Sequence, residues 1–467
     1  MNDPLYDVPS FRVKKVNDKF LVTNHLGGWT MLNTDDLKQL NSHSVHKNPR
    51  LFSQLIESGL AFTPETILGI GSRMKRKFWH IYNGTSLHVV AVTNRCNLKC
   101  TYCYASTENR SQMTPETAKK VADFVFQSPA RIQVVEFSGG EPLLNFEAIR
   151  TIVERSEKLA RQTGKTVGFS MIHNGTQWSD EKRDFFIRHK IGICFSLDGP
   201  KSLHNLHRKY ISGGGTYDDV VKSIRKFREL DYPRLHALPV ITKHSLPHWK
   251  DIVDEYIKLG FDSIRFKYLG FFGRAPEEWK RLGYTPEEFV NVWKQVVDYI
   301  YQLNKDGVKF DEGITRIIAG KFFSEQDPGY CELQMPCGAG LGQLAYSPDG
   351  GVYTCDEGRM FEEFQLGTVD QPLNQLLNSP VLKGMMVASC GLANLCDACA
   401  LQPFCGSCPL EAYRQTGSLN IKMPLDRRCH IHGAMVEHLL QKMDEDPEFR
   451  ALMTSWAAPR PASLKKQ

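Results

Sequence analysis

The sequence predicts an α/β fold built around a parallel sheet, open or rolled into a partial barrel. A small winged-helix-like module precedes the sheet and a cysteine-rich segment follows it. Three observations carry this. Six strand-like runs alternate with helical runs between about residues 85 and 320. Three short strand-like runs and then helices occupy the first 80 residues. All thirteen cysteines lie beyond residue 95, and most stand at spacings that suit sites. A chain of 467 residues has material for about three domains, and the pattern divides it at 1–80, 81–324 and 325–440, with 441–467 as a frayed tail.

In the first unit Phe11–Val16, Phe20–Thr23 and Trp29–Leu32 read as strands, and Asp35–Leu40 and Arg50–Ser58 as helices, the second stopping at Gly59. The basic run Arg73-Met74-Lys75-Arg76-Lys77 reads as a solvated connector. In the second unit Leu87–Thr93, Val134–Phe137, Val167–Ile172, Ile191–Ser196, Ala237–Ile241 and Ile264–Leu269 read as strands. Helices with a 3.6-residue apolar period separate them, as in Ala118, Val121, Ala122 and Val125, with Thr114-Pro115 as cap and first turn. Ligands of such sheets bind beyond the carboxyl ends of the strands. The third unit is rich in cysteine and glycine and is expected to draw folding energy from bound metal.

Composition narrows the function. Lysine plus arginine exceeds aspartate plus glutamate by 58 − 52 = 6, with no clustered patch to suggest nucleic acid. No apolar stretch reaches the length of a membrane span, and Met1-Asn2-Asp3-Pro4 is unlike a secretory signal. A cytoplasmic location is expected, where clustered cysteines are metal ligands or catalytic groups rather than disulfides.

Cys96, Cys100 and Cys103 put three thiols within eight residues at the end of the first barrel strand. Three thiolates and an open position suit a four-iron cluster that must bind something else, whereas a structural zinc site wants a fourth ligand. This CxxxCxxC, with Tyr102 before its last cysteine, resembles the signature of the radical S-adenosylmethionine enzymes. Gly139-Gly140-Glu141-Pro142 and Ser196-Leu197-Asp198-Gly199-Pro200 follow in that family's order, each after its own strand. The resemblance implies a partial (β/α)6 TIM-like radical SAM barrel with a [4Fe-4S] cluster on the three cysteines and S-adenosyl-L-methionine as cosubstrate. It further implies Gly139, Gly140 and Glu141 at the methionyl amino group and Ser196 with Arg208 at the carboxylate. Asn174 would meet the ribose or methionyl group, and Tyr102 would lie over the adenine.

The later cysteines resemble the SPASM extension of radical peptide maturases. That resemblance implies Cys331, Cys337, Cys355 and Cys408 on one auxiliary cluster and Cys396, Cys399, Cys405 and Cys429 on a second. Cys405 and Cys408 stand two residues apart where the family has three. Cys194 and Cys390 read as core or incidental thiols. Asp356, directly after Cys355, matches the catalytic aspartate of sulfatase maturases and suits a plain turn equally well.

A SPASM enzyme implies a peptide substrate. The N-terminal module resembles the leader-recognition element of peptide-maturation systems, in which a ribosomal precursor peptide adds its leader as a strand. Segments such as Leu21-Val22-Thr23-Asn24, Thr85-Ser86-Leu87-His88 and Cys399-Ala400-Leu401-Gln402-Pro403-Phe404-Cys405 resemble the maturase of the His-Xaa-Ser peptide system. The expected activity is oxidative modification, by crosslinking, of precursor side chains through a 5′-deoxyadenosyl radical, with flavodoxin or ferredoxin as electron donor. An anaerobic sulfatase-maturing (formylglycine-forming) enzyme is the alternative within the class, and a zinc-dependent binding protein the alternative outside it.

Overall fold

Alternation of apolar and polar residues, closed by tight turns, builds the first layer. β1 (Phe11–Val16), β2 (Lys19–Asn24) and β3 (Trp29–Leu32) form an antiparallel sheet in that order. Val22 and Leu32 pack on Leu51 and Leu55 of the helix Pro49–Ser58, giving the module a small core of its own. Asn48 caps that helix and Gly59, in the left-handed region at φ 71°, ends it. The computed structural model describes residues 5–105, 110–390, 395–420 and 426–458. Thr23 donates to the Ala400 carbonyl at 2.9 Å and the Trp29 indole to the Phe322 carbonyl at 2.9 Å, so the module is docked on the rest of the chain.

The basic connector is solvated only in part, with Lys75 exposed and Lys77 turned inward. Residues 70–77 form a helix, and Lys77 turns inward to donate to the Pro403 carbonyl at 3.0 Å. Burial lowers the Lys77 pKa to about 7.

β4 (Leu87–Thr93), β5 (Ile132–Gly139), β6 (Thr166–His173), β7 (Gly192–Ser196) and β8 (Leu235–Leu238) run parallel in chain order. Intervening helices cover the outer face, as periodicity requires; Thr114 caps the helix Pro115–Val125 by accepting from Thr117. The expected sixth strand shrinks to β9 (Ser263–Ile264), which pairs with β10 (Asp311–Glu312) and meets the barrel only through the Ile241–Tyr268 bridge. The cause is local. The Phe266 amide is taken by the Glu312 carboxylate at 3.0 Å and the Leu269 amide by the Tyr284 hydroxyl at 2.6 Å, so neither is left for a ladder.

The opposite edge is extended instead. β11 (Gln343–Tyr346) lies parallel to β4, and β12 (Gly351–Tyr353) and β13 (Gln365–Thr368) continue antiparallel, giving the order β13-β12-β11-β4-β5-β6-β7-β8. The cysteine-rich unit is therefore joined to the barrel by a continuous, mostly parallel sheet. Buried His88 fastens the join by reaching the Tyr346 hydroxyl at 2.7 Å and Gln133 at 2.9 Å.

The tail is corrected in part. Arg427–Glu445 and Pro447–Ala457 are helices, and Phe449, Met453 and Trp456 are buried against the core. The remaining tail residues, 459–467, lie outside the described residues.

Candidate active site

The three-cysteine loop leaves β4 at the barrel mouth and is pinned from two sides. Lys99 donates to the Lys209 carbonyl at 2.8 Å and Thr101 to that of His207 at 3.2 Å, tying the loop to the segment after β7. On the other side Gly140 and Glu141 donate to the Thr93 and Arg95 carbonyls, each at 2.8 Å. That approach explains the two glycines: a Cβ on Gly139, whose φ is 128°, would strike the Thr93 carbonyl oxygen, and one on Gly140 the Arg95 carbonyl oxygen. Gly140→Ala is expected to cost about 1–3 kcal/mol through overpacking against backbone and to weaken S-adenosylmethionine binding. Thermal unfolding and equilibrium dialysis of the anaerobic protein would check both; wild-type values would remove the argument.

Glu141 is fully buried and already engaged, accepting from the Leu143 amide at 3.0 Å and the Asn174 amide at 2.8 Å. It staples the end of β5 to the end of β6. Asn174 continues the staple into the cysteine loop, donating to the Asn97 side chain at 2.8 Å and lying 3.9 Å from Cys96 Sγ. Ser196 closes β7, half-buried, with no side-chain hydrogen bond among the described residues.

Tyr102 and Arg208 lie together beside the cysteine loop. The Tyr102 ring is buried beneath the Arg208 guanidinium, 5.3 Å from its centroid, beside His207, and its hydroxyl donates to Asp198. Its ring thus forms a wall of the site, fixed by its hydroxyl. Arg208 Nε donates to Asp198 at 3.1 Å, so this cation is ion-paired before any carboxylate arrives. Burial works against the Arg208 charge, but Asp198, with Tyr102 and Cys100 near, raises its pKa. Asp198 itself, fully buried, also accepts from the Val240 amide at 3.1 Å. This network was missed because it joins residues about a hundred positions apart; the only hint was the acidic residue inside Ser196–Pro200.

The Cys96, Cys100 and Cys103 thiols are electrostatic neighbours. Burial pushes Cys96 to about 11 and Cys100 to about 12, and raises Cys103. Three buried thiolates need a cationic centre to hold them. Among the described residues no three such side chains converge tightly enough for a single metal ion. A four-iron cluster does not ask for that, because each cysteine meets a different iron.

The later cysteines gather in two groups. Cys331 lies near Cys337 and Cys355, and Cys408 near Cys337 and Cys355, within an apolar cluster that includes Phe272, Met385 and Leu410. Cys396, Cys399, Cys405 and Cys429 are neighbours of one another. Cys408 sits with the first group despite its shortened spacing. Cys390 ends the helix Pro380–Ser389. Cys194 is largely buried on the inner side of β7, close to Glu136 and Arg265.

Asp356 is held by Arg359, whose Nε donates to it at 2.9 Å, and by the Tyr104 hydroxyl at 2.6 Å. Tyr104 directly follows Cys103, so the cysteine-rich unit and the radical loop meet at this carboxylate.

Residues 90–256 match the Radical SAM superfamily. The barrel is a radical SAM domain. An uncharacterized protein of Methanocaldococcus jannaschii is 30% identical over 181 residues, 39% of this chain and 62% of that protein. The cysteine-type anaerobic sulfatase-maturating enzyme of Clostridium perfringens is 26% identical over 310 residues, covering 63% of this chain and 80% of the enzyme. In structure, native anSMEcpe with bound AdoMet and Cp18Cys peptide superposes with a TM-score of 0.67 at 20% identity, over 79% of this chain and 99% of that one. SuiB of Streptococcus suis bound to precursor peptide SuiA gives 0.57 at 14%, over 90% and 99%. The zinc-dependent binding protein is thereby set aside, and the cofactors are those of radical SAM enzymes, a [4Fe-4S] cluster and S-adenosylmethionine. The three thiols and the glycine turn of this radical SAM domain fit them. No helix among the described residues is long and apolar enough to cross a membrane.

Proposed function

We propose that this radical SAM enzyme oxidatively modifies, by crosslinking, side chains of a ribosomally made precursor peptide recognised through its leader. The observation that carries the reading is the company the radical loop keeps: two four-thiol groups behind the barrel mouth and a docked β-sheet module whose outer strand, β3, has one unpaired edge. A peptide leader can add to such an edge through main-chain hydrogen bonds. A cleft of about 680 Å³ opens beside β3, lined among others by Trp29, Met31, Gln54 and Arg73.

When bound, the reduced cluster and S-adenosylmethionine supply a 5′-deoxyadenosyl radical that abstracts a substrate hydrogen. The chain's part is positional. Cys96, Cys100 and Cys103 hold the radical cluster, and Asn174 and Glu141 fix the loop that carries them. Gly139, Gly140 and Ser196 meet the cosubstrate, with Arg208 beside it. Cys331, Cys337, Cys355 and Cys408 hold one auxiliary cluster and Cys396, Cys399, Cys405 and Cys429 the other. Asp356, oriented by Arg359 and Tyr104, takes up the proton released as the substrate is oxidised. Flavodoxin or ferredoxin in the cytoplasm is the proposed electron source, and the His-Xaa-Ser peptide system the proposed context.

Formylglycine formation is the second reading, favoured by the Clostridium relative and by Asp356. Against it, a fifth of this chain lies outside the superposition on anSMEcpe although nearly all of that chain is matched. Mass spectrometry of a short His-Xaa-Ser peptide co-expressed with the enzyme decides: loss of two hydrogens within the peptide is expected. An unmodified peptide, with conversion of a sulfatase-derived cysteine or serine peptide to the aldehyde, would overturn the proposal.

A further inference from the structure

Arg265 stands apart from the other charged groups of the barrel interior. Ile264, Phe266 and Tyr268 are buried, while Arg265 and Lys267 between them are partly open. This period of two turns Arg265 and Lys267 toward the lumen, where Cys194 and Tyr330 are electrostatic neighbours of Arg265. Lys267 is ion-paired with Glu332. Arg265 has neither ion pair nor hydrogen bond among the described residues. Its guanidinium lies 5.1 Å from the Tyr330 ring centroid, and its Nε is buried without an acceptor.

Of the carboxylates in the neighbourhood, Glu332, Glu312 and Asp356 have other partners, while Glu136 feels the Arg265 charge without forming an ion pair. Glu332 belongs to Lys267. Glu312 accepts from the amides of Phe266 at 3.0 Å, Ile314 at 3.1 Å and Thr315 at 2.7 Å, and from the Trp293 indole at 3.2 Å. Asp356 belongs to Arg359 and Tyr104. Glu136 of β5 accepts from Ser170 at 3.2 Å and forms no ion pair with Arg265. Burial, and then the nearby Asp356, raise the Glu136 pKa against the opposing pull of the Ser170 hydrogen bond and of the Arg265 charge.

A guanidinium whose Nε is buried without an acceptor and which has no ion pair is costly. Its planar fork is made for a carboxylate, and the Tyr330 ring lies against it at cation–π distance. We propose that Arg265 anchors a carboxylate-binding site inside the barrel, with Cys194 and Tyr330 beside it and Glu136 close by. Its ligand is a carboxylate of the substrate peptide, an Asp or Glu side chain or the free C-terminus. The proposal deepens the peptide reading and rests on it.

The test uses the anaerobically reconstituted holoenzyme and three fluorescein-labelled Gly/Ser nonapeptides, followed by anisotropy. One carries a central Asp and a C-terminal amide, one a central Asn and an amide, and one a central Asn and a free C-terminal carboxylate. A carboxylate peptide is expected to bind about tenfold tighter than the doubly neutral one, and which of the two does so identifies the source. Arg265→Gln should erase the preference, and Arg265→Lys should retain part of it. Equal binding of all three peptides, or a preference surviving in Arg265→Gln, overturns the site. Weakened S-adenosylmethionine binding in Arg265→Gln, with the peptide preference intact, also overturns it by assigning Arg265 to the cosubstrate. N-acetylaspartate is the control for the parent reading. If it binds in an Arg265-dependent way while no peptide binds, the peptide reading falls and the site stands.

Discussion

Cys100→Ala is expected to bring 5′-deoxyadenosine formation down to background in the anaerobically reconstituted enzyme. Of the three loop thiols, Cys100 is the one whose neighbours include both members of the Asp198–Arg208 ion pair. It sits where the loop is bonded to the segment after β7 by Lys99 and Thr101. Cys96 and Cys103 would remain in place after the change, because their anchors are backbone bonds and Asn174 rather than Cys100. What is lost is a ligand, and a two-thiol loop cannot hold a four-iron cluster with one corner open. Cys390→Ala is the matching control, since Cys390 belongs to neither four-thiol group and only ends a helix. The loop variant should therefore lose product while Cys390→Ala keeps it. Unchanged deoxyadenosine in the Cys100 variant, measured by chromatography after dithionite reduction, would refute the ligand assignment.

How much of this was readable from residues alone follows from the range of the interactions. The N-terminal strands and the first four barrel strands depend on local periodicity, so Phe11–Val16 and Leu87–Thr93 were visible without any partner. The three-cysteine loop is equally local. By contrast β11, β12 and β13 are three or four residues long and exist because β4 offers an edge to pair with. The sixth barrel strand fails for the opposite reason: its apolar pattern is right, but Glu312 and Tyr284 capture its amides. Lys77 looked like solvent-facing charge until the Pro403 carbonyl was brought to it from more than three hundred residues away. The site residues divide the same way. Gly139 and Gly140 announce close backbone approach by their type, whereas the pairing of Tyr102 and Arg208 with Asp198 is decided by tertiary contact.

Asp198→Ala should produce the larger structural effect, because it strips the anion from a cation that has little access to bulk water. The Asp198 side chain is 0% exposed and that of Arg208 is 9% exposed. Removing one partner of such a pair costs about 3–5 kcal/mol, most of it the burden of an uncompensated charge. The loss should be local before it is global. Asp198 also receives the Tyr102 hydroxyl and the Val240 amide, so the cysteine loop and the end of β8 lose a shared anchor. Hydrogen exchange of the holoenzyme would register this as faster exchange around Val240 and across Cys96–Cys103, with a lower melting temperature. A double variant separates charge from packing. Asp198→Ala with Arg208→Met removes the stranded cation, so it should regain melting temperature relative to Asp198→Ala alone. If the double variant melts no higher than the single one, the ion pair is not what holds this wall of the site together. The hydrogen bonds of Asp198 to Tyr102 and Val240 would then carry the whole effect.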